Sequence, residues 1–112
     1  MADARDISDV IERIDAFETR NGVRMEGLYA KLTEVRSELF VTVIGELHAL
    51  AGRGLSSDLE IVISVHDDKG RVVATDVTYI SEDTFFGFEV FSERIEVPRV
   101  DIAKIRVYPK AS

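Results

Sequence analysis

Past Glu38 the apolar residues recur at every second position, and this rhythm limits what the chain can fold into more than any other feature. Leu39, Val41, Val43, Gly45 and Leu47 alternate with Phe40, Thr42, Ile44, Glu46 and His48. Leu59, Ile61, Ile63 and Val65 share one parity against Glu60, Val62, Ser64 and His66, and residues 72–80 are rich in β-branched side chains. Phe86, Phe88 and Val90 alternate with Gly87 and Glu89, and Ala103, Ile105 and Val107 with Lys104 and Arg106. Successive side chains on a strand point to opposite faces, so these runs read as half-buried antiparallel strands. Turn chemistry separates them at Ala51–Asp58, at Asp67-Asp68-Lys69-Gly70, at Ser81-Glu82-Asp83 and at Glu96-Val97-Pro98-Arg99. Several short strands at this spacing predict a mainly β fold over residues 38–112, an antiparallel β-sandwich.

Before Glu38 the spacing is helical. Ile7, Val10, Ile11, Ile14 and Phe17 recur at steps of three and four, and Asn21-Gly22 supplies a stop. A second pattern follows in Met25, Leu28, Leu32 and Val35, weakened by Gly27 at about 1 kcal/mol relative to Ala. Ile7, Ile14, Asn21, Leu28 and Val35 also lie seven apart, the seam of a coiled coil with a polar residue near its middle. Residues 1–37 are therefore predicted as an N-terminal helical, coiled-coil-like segment. It is one long self-associating helix, a hairpin turning at Asn21-Gly22, or a short amphipathic helix packed on its own domain with a loose linker; the first two point to a homo-oligomer.

Composition removes several classes. The chain has no Cys, which excludes disulfides, thiolate metal sites and a Cys nucleophile. No apolar run approaches the roughly 20 residues that span a bilayer, and no signal-peptide pattern opens the chain, so no membrane partner and a cytoplasmic location are expected. The net charge is −7, and residues 38–112 carry 13 acids against 8 bases, which argues against nucleic acid. Lys104, Arg106 and Lys110, with Arg94 and Arg99, then read as a solvated, edge-protecting strand face.

Candidate chemistry is sparse. His48 and His66 share parity with Glu46 and Ser64, and a metal site would need both on one face with a carboxylate such as Glu46 or Asp68. Both histidines are expected on the surface, and no cofactor or metal is assigned. Asp67 is expected to fix its turn by accepting backbone N–H bonds rather than to ligate Ca²⁺. No nucleophile elbow, phosphate-binding glycine loop or zinc-protease motif is present, and Ser56, Ser57 and Ser64 stand without a motif. Phe86 and Phe88 are expected to fill the core. Phe85 and Phe91 then fall on the outer face beside Gly87, as a contact for the N-terminal segment or a second subunit.

The run Ile63-Ser64-Val65-His66-Asp67-Asp68-Lys69-Gly70-Arg71-Val72-Val73 resembles the strand–turn–strand signature of bacterial FxLYD-type immunoglobulin-like domains. Val43-Ile44-Gly45-Glu46-Leu47 resembles the family's first strand, and Phe86-Gly87-Phe88-Glu89-Val90 a later one. The resemblance spans roughly residues 40–108. Ile63 and Val65 stand where the pattern has an aromatic residue and Leu, and His66 where it has Tyr. It implies an accessory or interaction module with no catalytic residues to carry over. The expectation is a non-catalytic protein, not an enzyme, that works by protein–protein association. Its contact residues would be Ile7, Val10, Ile14, Phe17, Leu28, Leu32, Val35, Phe85 and Phe91. The alternatives are a small-ligand or metal-binding accessory domain, and an enzyme using dispersed carboxylates.

Overall fold

Period-two runs bury one face each, and the chain satisfies them by stacking two sheets on a shared apolar layer. The fold is that of a computed structural model, which describes residues 3–52 and 54–112. Among the described residues the elements run β1 (Asp3–Asp6), a 3-10 turn (Ser8–Val10), β2 (Ile11–Arg13), α1 (Asp15–Arg20), β3 (Val23–Val35), β4 (Glu38–Ala49), β5 (Leu59–Asp67), β6 (Val72–Ile80), β7 (Phe88–Val97) and β8 (Ile102–Ala111). One sheet has the order β1-β3-β4-β7 and the other β2-β8-β5-β6. All pairings are antiparallel except β2 with β8. Val23, Met25, Val41, Val43 and Leu47 from the first sheet meet Leu59, Ile61, Ile63, Val65, Ile105 and Val107 from the second. No helix of the described residues is long and apolar enough to cross a membrane.

The helical reading of residues 1–37 is corrected. Among its described residues the helix content is one 3-10 turn and the six-residue α1, and the segment contributes strands to both sheets. Met25, Leu28, Leu32 and Val35 lie in the thirteen-residue strand β3. A β-bulge explains the false period. Met25 pairs with Leu47 and Glu26 with Glu46, but Tyr29 pairs with Ile44, so the register slips between Glu26 and Tyr29. Gly27 occupies the slip at φ +63°, where a side chain would be strained. The bulge brings Met25 and Leu28, three apart, to one face with Leu32 four further on, while Val35 falls on the opposite parity.

The other N-terminal apolar residues are shared among short pieces. Ile7 is buried, and Val10 and Ile11 pack on the core as the chain passes from β1 in one sheet to β2 in the other. Glu12 on β2 ties this strand to β8, with Oε1 2.7 Å from Arg106 Nε and Oε2 3.4 Å from Lys104 Nζ. The buried Glu18 of α1 accepts from Arg13 Nε and Nη2, at 3.1 and 2.7 Å, and from the Met25 amide at 2.9 Å. That carboxylate ties β2, α1 and the start of β3 together.

The parity of β7 is also the reverse of the expectation. Phe85 and Phe91 are 2% and 4% exposed and belong to the core, whereas Phe86 and Phe88 are 78% and 57% exposed. Phe91, Ile95 and Val97 face inward together, and Ser92, Arg94 and Glu96 face outward. Residues 91–97 carry the parity in plain form, but a strand ended at Val90 does not include them.

Candidate functional site

Strand pairing across β3, β4 and β7 arranges the outer face of the first sheet in rows. In order along β4 they are Arg24–His48–Phe88, Glu26–Glu46–Val90, Tyr29–Ile44–Ser92, Lys31–Thr42–Arg94 and Thr33–Phe40–Glu96. Tyr29, Phe88 and Val90 are exposed. At the far end the Arg94 guanidinium lies 3.8 Å from the Phe40 ring centroid, a cation–π contact.

Three metal-ligating side chains meet at the near end. His48 Nε2 is 2.9 Å from Glu46 Oε1 and 3.2 Å from Glu26 Oε2. One donor atom from each residue lies within 4.8 Å of the others. The His48 ring stacks on Phe88, with centroids 5.5 Å apart and planes 16° from parallel. Arg24 Nε is 3.8 Å from Glu26 Oε1. Position i and i+2 on β4 put Glu46 and His48 on one face, and the register with β3 adds Glu26 directly opposite Glu46. Chemically the set is one imidazole nitrogen and two carboxylates, a combination that suits a borderline divalent cation.

The two histidines are not brought together. His48 is on the outer face of one sheet and His66 on the other sheet, and His66 is buried at 7% exposure, not on the surface as expected. Its Nε2 lies 3.0 Å from Ser64 Oγ and its Nδ1 3.5 Å from the Gly70 carbonyl oxygen. Val62, Ser64, His66, Thr75, Arg106 and Tyr108, with Ile14 and Phe17, line an open groove of about 430 Å³ over this sheet. A hydrolytic triad would place a carboxylate on Nδ1. Here a distant backbone carbonyl takes that place, so the pair satisfies two buried polar groups without the geometry of an activated nucleophile.

Asp67 does what its turn needs. Its Oδ1 accepts from the Lys69 and Arg71 amides at 3.0 and 2.9 Å, and its Oδ2 from Arg71 Nε at 2.9 Å. The Arg71 amide foremost holds this carboxyl below the ordinary aspartate range, against the opposing effect of burial. The basic residues of the last strand are compensated as well. Lys110 faces Glu60 at 3.7 Å, Lys104 and Arg106 share Glu12, and Arg99 pairs with Glu34.

The anticipated contact residues lie largely inside. Ile7, Phe85 and Phe91 are core, Val10, Leu28 and Leu32 pack against it, and Val35 is half-buried at the end of β3. Ile14 and Phe17 border the groove on the second sheet, where Phe17 meets Tyr108 edge-on at 5.4 Å. Glu26, Tyr29 and Phe88 were absent from that set. The alternation Val23-Arg24-Met25-Glu26 was the available signal for Glu26, obscured by the bulge that follows it.

Comparison with protein-family models, with curated proteins and with solved structures finds no match to this chain.

Proposed function

We propose that the chain is a non-catalytic association module that pairs with a second copy of itself through the outer face of the β3-β4-β7 sheet. The observation that carries this reading is the order of rows about Ile44. The acidic row Glu26–Glu46 and the basic row Lys31–Arg94 flank the Tyr29–Ile44–Ser92 row at equal distance on either side. A two-fold axis lying along that central row sets Glu26 over Lys31 of the second copy, and the reverse. It also sets Ile44 on Ile44 and the His48 end on the Phe40 end. An isologous contact must be self-complementary in this way. Exposed ion pairs contribute only about 0.2–1 kcal/mol each, so they fix orientation. Affinity comes from covering Tyr29, Ile44, Phe88 and Val90, at about 25 cal/mol per Å² of apolar surface.

In this reading the sandwich is immunoglobulin-like, of the FxLYD type. Two pairings support that. The order β3-β4-β7 follows strands A-B-E of immunoglobulin sandwiches, and β8-β5 follows F-C, with β6 beside C. The short parallel strand β2 occupies the side of β8 where a final strand G would pair.

Light scattering on the full chain tests the reading. Mass should rise towards twice that of the monomer with concentration. Ile44→Lys, which places like charges on the axis, should leave a monomer. Lys31→Glu and Glu26→Lys should each weaken pairing, and the two together should restore it. A wild-type chain that stays monomeric up to its solubility limit overturns the reading, as does a double variant that fails to recover.

A further inference from the structure

We propose that Glu26, Glu46 and His48 bind one divalent transition-metal ion of the borderline class, such as Zn²⁺, on the exposed face of the first sheet. This goes beyond self-association: all three ligands come from one chain, and because Glu26 faces Lys31 of the second copy in the paired form, the ion binds the unpaired chain in competition with pairing. The donor atoms already converge, with His48 Nε2 at 2.9 and 3.2 Å from one oxygen of each glutamate. A tetrahedral ion with bonds of about 2.0–2.1 Å separates its ligands by roughly 3.3 Å, so small side-chain rotations suffice.

The surroundings favour a cation. Glu26 and Glu46 are direct cross-strand partners, and like charges so placed repel. Arg24 approaches only the Glu26 carboxylate, at 3.8 Å. A bound ion removes that repulsion while the strand register holds both carboxylates in place. The imidazole is oriented by an independent contact, the stack on Phe88. One imidazole nitrogen with two carboxylates selects Zn²⁺, Co²⁺ or Ni²⁺ over Mg²⁺ and Ca²⁺, which take all-oxygen shells. Three protein ligands on an open face leave at least one position for water or an external donor.

The test is titration of the full chain with Zn²⁺ by calorimetry and with Co²⁺ by visible absorption. One ion per chain is expected, with no competition from excess Mg²⁺ or Ca²⁺. His48→Asn, Glu26→Gln and Glu46→Gln should each weaken affinity at least about tenfold. Glu82→Gln, in a distant loop, should leave affinity unchanged. All four side chains are partly or fully exposed, and circular dichroism verifies that each variant is folded. Absence of saturable binding overturns the proposal. So does affinity that stays within about threefold of wild type in any of the three ligand variants, including a site that proves to lie on His66.

Discussion

At the scale of single residues, two carboxyls respond to the fold in opposite directions. Asp67 is held below its ordinary range by the Arg71 amide and side chain, so its ionised form supports the turn. That support is present above the ordinary aspartate value and is lost as pH falls through the lowered one. Glu93 is pushed above its ordinary range, first by burial and then by the Asp76 carboxyl beside it. The pair sits where β6 and β7 approach each other at the open edge of the sandwich. A raised acid favours the fold while protonated and costs stability once pH passes from the ordinary to the raised value. Glu93→Gln should therefore raise the melting temperature at pH 7. The gain should shrink to nothing as pH falls below the ordinary glutamate range, as thermal melts across pH would record. Inward-pointing charge on edge strands also discourages strand addition, which favours association through the sheet face over the edge.

At the scale of elements, the β3–β4 hairpin is the informative case. Val35 pairs with Glu38, so the loop is Arg36-Ser37 alone, and both residues have positive φ, +51° and +71°. Two positive φ values define the turn whose twist matches a hairpin, for which Asn-Gly is the favoured pair. Side chains in this region cost roughly 1–2 kcal/mol per residue. The chain offsets part of that through Arg99, which donates to the Ser37 carbonyl at 3.0 Å. Arg36→Asn together with Ser37→Gly should stabilise the protein by about 1 kcal/mol, read from urea unfolding with an unchanged slope. The same loop shows why the first hairpin was illegible. The chain's Asn-Gly lies at 21–22, after α1, while the turn that joins two long strands carries neither Gly nor Asn. With that turn hidden and the bulge at Gly27 mimicking a helical step, the alternation Val23-Arg24-Met25-Glu26 was too short to mark β3 as a strand.

At the scale of the whole molecule, the two sides of β7 divide the work. Phe91 lies in the core over Gly45, where an added Cβ would stand 3.0 Å from Phe91 Cζ and 2.6 Å from Leu28 Cδ2. Glycine at this cross-strand position makes room for the ring. Phe91→Ala should cost about 3–5 kcal/mol of folding stability. Phe88→Ala should change stability by no more than about 0.5 kcal/mol while weakening self-association. Denaturant unfolding and light scattering on the two variants separate a packing aromatic from a contact aromatic. Reversal of those two effects would return β7 to the orientation expected from residues 86–90 alone.

The period-two runs determined by themselves that residues 38–112 form strands, and where most of those strands begin and end. The alternation of side chains is a local property of extended backbone and needs no partner to be legible. The turn role of Asp67 was equally local, because its partners are two and four residues away. Tertiary structure decided what depends on pairing between distant segments. It set the register that places Glu26 opposite Glu46, and it buried His66. It also converted an apparent helical seam into a bulged strand. A hydrogen-bonded neighbour fixes which face of a strand is covered, and that neighbour lies too far along the chain for local spacing to record it.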